Sequence, residues 1–255
     1  MRLFRRRRGL RLLALLSFRN EMRFLPDYFV NISPHVDGIV ALDDGSTDGS
    51  GDFVASQPNV LQLLTNPVHD DSGWDDAANH RRLVEAAWDF DPDWLLGLDA
   101  DERVEWQFRQ RAEEIIRSSD RQAYALTFRE LWDGPLQFRA DGIWVAKTSA
   151  RLFAARRDHE FHMQRFHCHW APLNSKENGG FPRADLTIYH LRMMHAADRH
   201  ARRERYQTLD PTRQYQAVGY EYLTEDEGLL LKPVPPRRVY EPLPQDVPGP
   251  VTDTS

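Results

Sequence analysis

The stretch VALDDGSTDGS, residues 40–50, decides how this chain is read. A hydrophobic run stops at Asp43 and Asp44 and passes into Gly, Ser, Thr and a further acid, Asp48. Like charges at close range repel, so this crowding needs a reason. Three explanations compete: a tight turn, a calcium loop, and a polar cradle for a ligand at a strand's end. Calcium fits the opening positions, because Asp44, Ser46, Asp48 and Gly49 match the start of an EF-hand loop. The twelfth position is Ala55, where such a loop requires a bidentate glutamate. A pure turn suits Asp, Gly and Ser. It does not explain why GLDADE, residues 97–102, ends a second hydrophobic run in Asp99 and Asp101, with Asp99 placed 55 residues after Asp44.

Open α/β sheets bind ligands outside the carboxyl ends of their strands. Two acid-bearing strand ends would converge there if their strands were neighbours. Four carboxylates in one crevice resist shared ionisation, and a cation relieves them. A diphosphate with Mg2+ or Mn2+ fits, since hard cations bind one or two carboxylates plus phosphate oxygens. If LDADE is extended, Asp99 and Asp101 point to the same face.

Outward from these motifs, the N-terminal half alternates strand and helix signals. RLLALLSF, VDGIVALDD, NVLQLLTN and PDWLLGLDADE read as strands. EMRFLPDYFVNIS, DGSGDFVASQ, WDDAANHRRLVEAAWDF and EWQFRQRAEEIIRSS read as the helices between and after them, the third with acids in its first turn. This rhythm argues for a mainly parallel sheet covered on both faces. Further on, QAYALTFRELWDG and ARLFAARR read as strands around an aromatic loop, and HAADRHARRERYQTL as a charged helix.

The 255 residues suit one large domain with appendages. Residues 1–11 form a basic arm whose arginines could touch anionic lipid heads. Residues 12–231 form the domain, divided near 104 into a ligand-binding half and a second half. Residues 232–255 hold seven prolines in 24 positions and read as an extended or flexible tail. No stretch reaches the ~20 apolar residues of a membrane helix. A net charge of −6 argues against nucleic acid as a partner. The lone Cys168 excludes an internal disulfide and suits a reducing, cytoplasmic setting.

SFRNEMRFLPDYF, VDGIVALDDGSTDGS and DWLLGLDADE together resemble the family 2 glycosyltransferases of the GT-A fold. The likeness covers residues 12–104 well. It continues more weakly through RADGIW, ARLF and YHLRMMHAADRHARRERYQTLDP, which look like bacterial members acting on envelope glycans. The resemblance implies an α/β GT-A domain and an inverting transfer. The donor would be a UDP-, GDP- or dTDP-sugar, the acceptor a glycan, lipid-linked or small-molecule hydroxyl, and the metal Mn2+ or Mg2+. By the same resemblance, Asn20, Glu21, Asp43, Asp44, Asn79, Arg81 and Asp99 would hold the nucleotide sugar. Asp101, with Asp99 and His190, would hold the metal.

An inverting displacement needs one carboxylate base for the acceptor's proton. Relatives often carry a His-Glu pair after the RLF strand, whereas this chain reads RFHCHW there. Glu160 and Asp141 are the candidate bases, with Asp133 a further one. His162, His167 and His169 make a weak zinc candidate, without a Cys-x-x-Cys or a helical histidine pair. Trp132, Trp144 and Trp170 are either stacking platforms for sugars or core aromatics. Two other functions compete: a non-catalytic nucleotide-sugar-binding module, and a sugar nucleotidyltransferase. The latter is disfavoured because SFRNEMRF lacks a Gly-rich phosphate loop.

Overall fold

The computed structural model describes residues 9–70, 73–161, 163–165, 168–214 and 218–244. Its centre is an eight-stranded mixed sheet. The first half supplies β1 (Leu12–Phe18), β2 (Gly38–Asp43), β3 (Val60–Thr65) and β4 (Trp94–Asp99), all mutually parallel in the order β3-β2-β1-β4. Beyond β4 the order continues through β8 (Thr148–Ala154), β6 (Ala123–Glu130), β9 (Arg183–His190) and the short β5 (Glu102–Val104). Here β8 and β5 run antiparallel to their neighbours, while β6 and β9 pair in parallel. A separate two-stranded piece joins β7 (Gln137–Arg139) to β10 (Leu231–Pro233).

Successive residues of a strand face opposite sides of the sheet, and both sides of β1 are buried. Leu12, Ala14, Leu16 and Phe18 pack with α1 (Leu25–Ile32) and α4 (Phe108–Arg117). Leu13 and Leu15 pack with α3 (Asp76–Ala87), Phe153 and Trp170. Such strands read as continuous apolar runs, which is how LLALL reads. The expected helix over residues 21–33 starts late, at Leu25, because Pro26 sits in the first turn, where its missing N–H is harmless. Helix α3 begins as its acids predict: Asp75 is the N-cap and accepts from the Ala78 amide at 2.9 Å. The remaining helices are α2 (Ser50–Ala55) and α5 (Ala196–Leu209), the latter lying over a satellite core of Trp132, Trp144, Met193, Tyr220 and Leu223.

Two expectations change. The strand through LDADE is interrupted: β4 stops at Asp99, residues 100–101 turn, and Glu102 opens β5, paired with His190 of β9. The Pro-rich segment is extended but packed as far as residue 244, with Tyr240 fully buried and its hydroxyl donating to the Pro135 carbonyl at 2.9 Å. Residues 245–255, and residues 1–8 of the basic arm, lie outside the described residues. Among the described residues no helix is long and apolar enough to cross a membrane.

Candidate active site

The two acidic strand ends are not on adjacent strands. β1 lies between them, with Phe18 in register with Asp43 and Ser17 with Asp99. Neighbouring strands are about 4.8 Å apart, so the two acidic groups flank β1 at roughly twice that spacing. A cleft of about 490 Å³ opens on the β4 side of this edge. Its walls come from the β1 exit (Ser17 to Glu21), the DAD turn, the start of α3, the loop carrying Cys168 and Trp170, the β9 exit (His190, Arg192) and α5.

Most of the polar atoms in residues 43–50 are spent on the protein itself. Asp43 accepts from the Ser46 amide at 2.8 Å, and Asp48 from the Ser50 amide at 2.9 Å. Ser46, Asp48 and Ser50 accept in turn from the amides of Asn20, Met22 and Glu21, at 3.0, 3.1 and 2.9 Å. Asn20 returns a bond, its Oδ1 accepting from the Thr47 amide at 2.7 Å. The loop therefore clasps the β1 exit and sets the course of residues 20–22 along the cleft. Gly45 permits the turn: its φ is +81°, and a Cβ there would meet the Pro67 carbonyl oxygen at 2.6 Å.

Asp44 is the exception. It is 1% exposed; its Oδ1 accepts from Asn66 Nδ2 and lies 3.1 Å from His69 Nε2, while Oδ2 has no hydrogen-bond partner among the described residues. A buried carboxylate oxygen left unpaired is costly unless something else satisfies it. Asn66 also donates to Asn79 of α3 at 3.0 Å and accepts from Arg82. Arg81, the expected arginine of that helix, is solvent-exposed, so Arg82 is the one that reaches this network.

Across β1, the DAD turn sends its aspartates to different cations. Asp99 lies 3.1 Å from Arg151 of β8, which also pairs with the fully buried Glu102. Asp101 Oδ2 accepts from Arg192 Nε at 2.7 Å and lies 3.3 Å from His190 Nε2, while Oδ1 has no hydrogen bond among the described residues. The other ring nitrogen of His190 is bonded to Glu130, at the end of β6, and Glu130 is also paired with Lys147. Burial opposes the charge on His190, but Glu130 and Asp101 on either side outweigh it and push its pKa up to about 9. Burial likewise works against ionised Asp101, yet His190 and Arg192 hold it well below the usual carboxylate range. Arg192 reaches on to Glu21, tying the β9 exit to the segment the loop clasps.

No three His, Cys, Asp or Glu side chains converge as a ligand set among the described residues. The donors present still suit a hard cation shared with a diphosphate. Among the described residues Asp101 keeps one oxygen without a hydrogen bond, and Glu130 grips one nitrogen of His190 while the other faces Asp101, as carboxylates orient metal-binding imidazoles. Asp99 stands across the turn with Arg151 instead of beside His190.

The expected bases lie elsewhere. Asp141 caps β7 from the far side: it accepts from Arg139 Nε at 3.0 Å and from the Leu230 amide at 2.9 Å. Burial raises its pKa, but the Arg139 bonds win and hold it down, which suits an anchor better than a base. Glu160 is exposed on the loop after β8, beside Asn174, and does not line the cleft. Asp133 pairs with Arg199 at 2.9 Å, also away from the cleft. Trp132, Trp144 and Trp170 are at most 3% exposed and belong to the cores. Trp170 lies flat on β4, where a Cβ on Gly97 would sit 2.2 Å from its ring, and stacks on His80 at 3.6 Å. His162 and His167 fall outside the described residues, and His169 packs edge-on against Phe181.

Glu130, Arg151 and Arg192 were missed from the sequence. Glu130 carries the signal that marked Asp43 and Asp99, an acid at the end of an apolar strand. Arg192, two residues after His190, was visible in the same YHLR stretch. Nothing local marks Arg151, whose partners come from the end of β4 and the start of β5.

No protein-family model matches the chain. Two curated relatives, uncharacterized proteins of Mycobacterium bovis and Mycobacterium tuberculosis, are each 28% identical over 129 residues, which is 49% of this chain and 32% of theirs. The chain thus matches about a third of their length. Among solved structures, S. aureus TarS superposes with a TM-score of 0.52 at 11% identity, over 82% of this chain and 44% of that one. Its 1–349 fragment, crystallised with UDP, gives 0.49 at 12% identity, over 84% of this chain and 70% of that one. The chain has the fold of bacterial glycosyltransferases of the GT-A type.

Proposed function

We propose that the protein is an inverting, metal-dependent glycosyltransferase that moves a sugar from a nucleotide-diphosphate donor to a hydroxyl of a glycan, lipid-linked or small-molecule acceptor. The observation that carries the proposal is the pair of acidic groups flanking β1 at the sheet's carboxyl edge, one holding an unsatisfied buried oxygen on Asp44 and the other the Asp101–His190–Glu130 chain. In a GT-A fold these are the positions for a nucleoside and its diphosphate.

Asp44 Oδ2 would accept from a nucleobase N–H, and the imide of uracil supplies one. UDP is the nucleotide held by the TarS fragment. Asn66, Asn79 and Arg82 would hold Asp44 in place. The clasped segment of Asn20 and Glu21 would run beside the nucleotide, and Asp99 would face the ribose and diphosphate. Asp101 Oδ1 and His190 Nε2 would hold Mn2+ or Mg2+, which neutralises the leaving diphosphate as a Lewis acid. Arg192 would keep Asp101 oriented and ionised.

The test is nucleoside diphosphate release from a panel of UDP-, GDP- and dTDP-sugars, with and without Mn2+. Metal-dependent release from one donor is expected. Nucleotide binding without turnover under any of these conditions, even with candidate acceptors present, would mean a binding module instead.

A further inference from the structure

The cleft's described residues supply five carboxylates, and four of them have an arginine. Glu21 and Asp101 share Arg192, Asp99 has Arg151 at 3.1 Å, and Asp198 has Arg23 at 2.5 Å. Asp76 has no such partner among the described residues. It is the first residue of α3, half-buried in the cleft wall.

Two bonds set its position. Its Oδ1 accepts from Trp74 Nε1 at 2.6 Å, and its amide donates to the Arg165 carbonyl at 2.9 Å. Its Oδ2 has no hydrogen bond among the described residues. Asp99, from the end of β4, and the adjacent Asp75 oppose its ionisation. Arg205 of α5, whose guanidinium lies over the Trp74 ring at 4.9 Å, favours it. His80 and Cys168 line the same wall. Burial dominates these influences and pushes the Asp76 pKa up to about 7. A base works best when one oxygen is held, the other faces the reactant, and its proton affinity matches the working pH.

We propose that Asp76 is the catalytic base of the transfer described above, receiving the acceptor hydroxyl's proton on Oδ2; this rests on the glycosyltransferase reading. As the acceptor oxygen gives its proton to Asp76, it forms a bond to the donor's anomeric carbon. The bond from that carbon to the diphosphate oxygen breaks, and the nucleoside diphosphate leaves with the electron pair. Against burial, Arg151 holds Asp99 and His190 with Arg192 holds Asp101 below the usual carboxylate range, which makes those two poorer proton acceptors than Asp76.

The test compares the wild type with Asp76→Asn and Asp76→Glu in the full chain. UDP affinity is measured by calorimetry with Mn2+, and UDP release from UDP-glucose and UDP-N-acetylglucosamine is followed from pH 5 to 9 with water or glycerol as acceptor. Asparagine keeps the bond from Trp74, so the expected result is unchanged UDP affinity, unchanged donor KM and a kcat lowered about 10²–10³-fold. The wild-type kcat/KM should fall below pH 7, Asp76→Glu should keep such an acid limb at reduced rate, and Asp76→Asn should lose it. An active wild type with Asp76→Asn within threefold of it, or with the same acid limb, overturns the assignment of Asp76 alone. A wild type that binds none of UDP, GDP and dTDP and releases none of them from the corresponding sugar donors overturns the glycosyltransferase reading and this assignment with it.

Discussion

His190 Nε2 lies 3.3 Å from Asp101 Oδ2, and the imidazole is held in that orientation from behind by Glu130. If the pair binds a cation, Glu130→Gln should weaken Mn2+ affinity about 10–100-fold in the presence of UDP. UDP binding without metal should be unchanged. Paramagnetic resonance titration of Mn2+ measures both proteins directly. Equal Mn2+ affinity would remove His190 from the ligand set.

Asp44 offers a buried oxygen that has no hydrogen-bond partner among the described residues. Asp44→Asn keeps a side-chain oxygen that can accept from Asn66 but removes the charge. A hydrogen bond to a charged group is worth about 1.5–3 kcal/mol. UDP affinity should therefore drop roughly tenfold to a hundredfold, with or without Mn2+. Calorimetry giving wild-type affinity would mean that the nucleobase binds elsewhere.

Arg151 separates two acids, the part-exposed Asp99 and the fully buried Glu102. Arg151→Met strands the fully buried Glu102 without the guanidinium that pairs with it. Losing one partner of a buried ion pair typically costs about 3–5 kcal/mol. The double variant Arg151→Met with Glu102→Leu should recover much of that loss, because no buried charge is left. Urea denaturation of the two variants and the wild type decides it. Equal stability of the single variant and the wild type would show that the pair contributes nothing.

His35 gives a pH dependence of stability unconnected with the cleft. Burial against Phe108, and then the nearby Arg109, lower its pKa from the ordinary 6.5 to about 4. Between those values the unfolded chain binds a proton that the folded one refuses, so stability rises with pH. The contribution is present above pH 6.5 and is lost as pH falls toward 4. His35→Gln should lose less stability than the wild type between pH 7 and pH 4.5, measured as urea midpoints at each pH. Parallel losses would contradict the lowered pKa.

The N-terminal half was legible because its signals are local. LLALLSF and GIVALDD are apolar runs bounded by turn residues, and Pro26 and Asp75 mark helix starts in their own turns. The rest depends on pairing across distance. Whether Asp99 and Asp101 share a face turned on where the chain bends, and that bend exists because Glu102 leaves β4 to pair with His190, 88 residues on (190 − 102). Where the candidate bases lie depends on distance in the same way. Asp141 and Glu160 stand near the right motifs in sequence, but Arg139 and the loop around Asn174 hold them on other faces of the molecule. Asp76 looked like one more acid in a helix's first turn, an ordinary place for one. Its missing arginine is apparent only once every other carboxylate in the cleft has been matched to its own.

The outer end of the large sheet is β5, three residues long, and an open strand edge is a template on which another chain can add. Here the side-chain amide of Asn31 imitates the missing neighbour: it donates to the Val104 carbonyl at 3.0 Å and accepts from the Val104 amide at 2.8 Å. The same Asn31 nitrogen donates to the Glu241 carbonyl at 2.8 Å, and the Trp106 amide donates to Val239 at 2.9 Å. One asparagine and a proline-rich strap thus seal the edge together. A chain shortened before residue 234, or carrying Asn31→Leu, would keep its cleft but bare a sticky flank. Its first symptom would be loss of solubility, before any loss of chemistry.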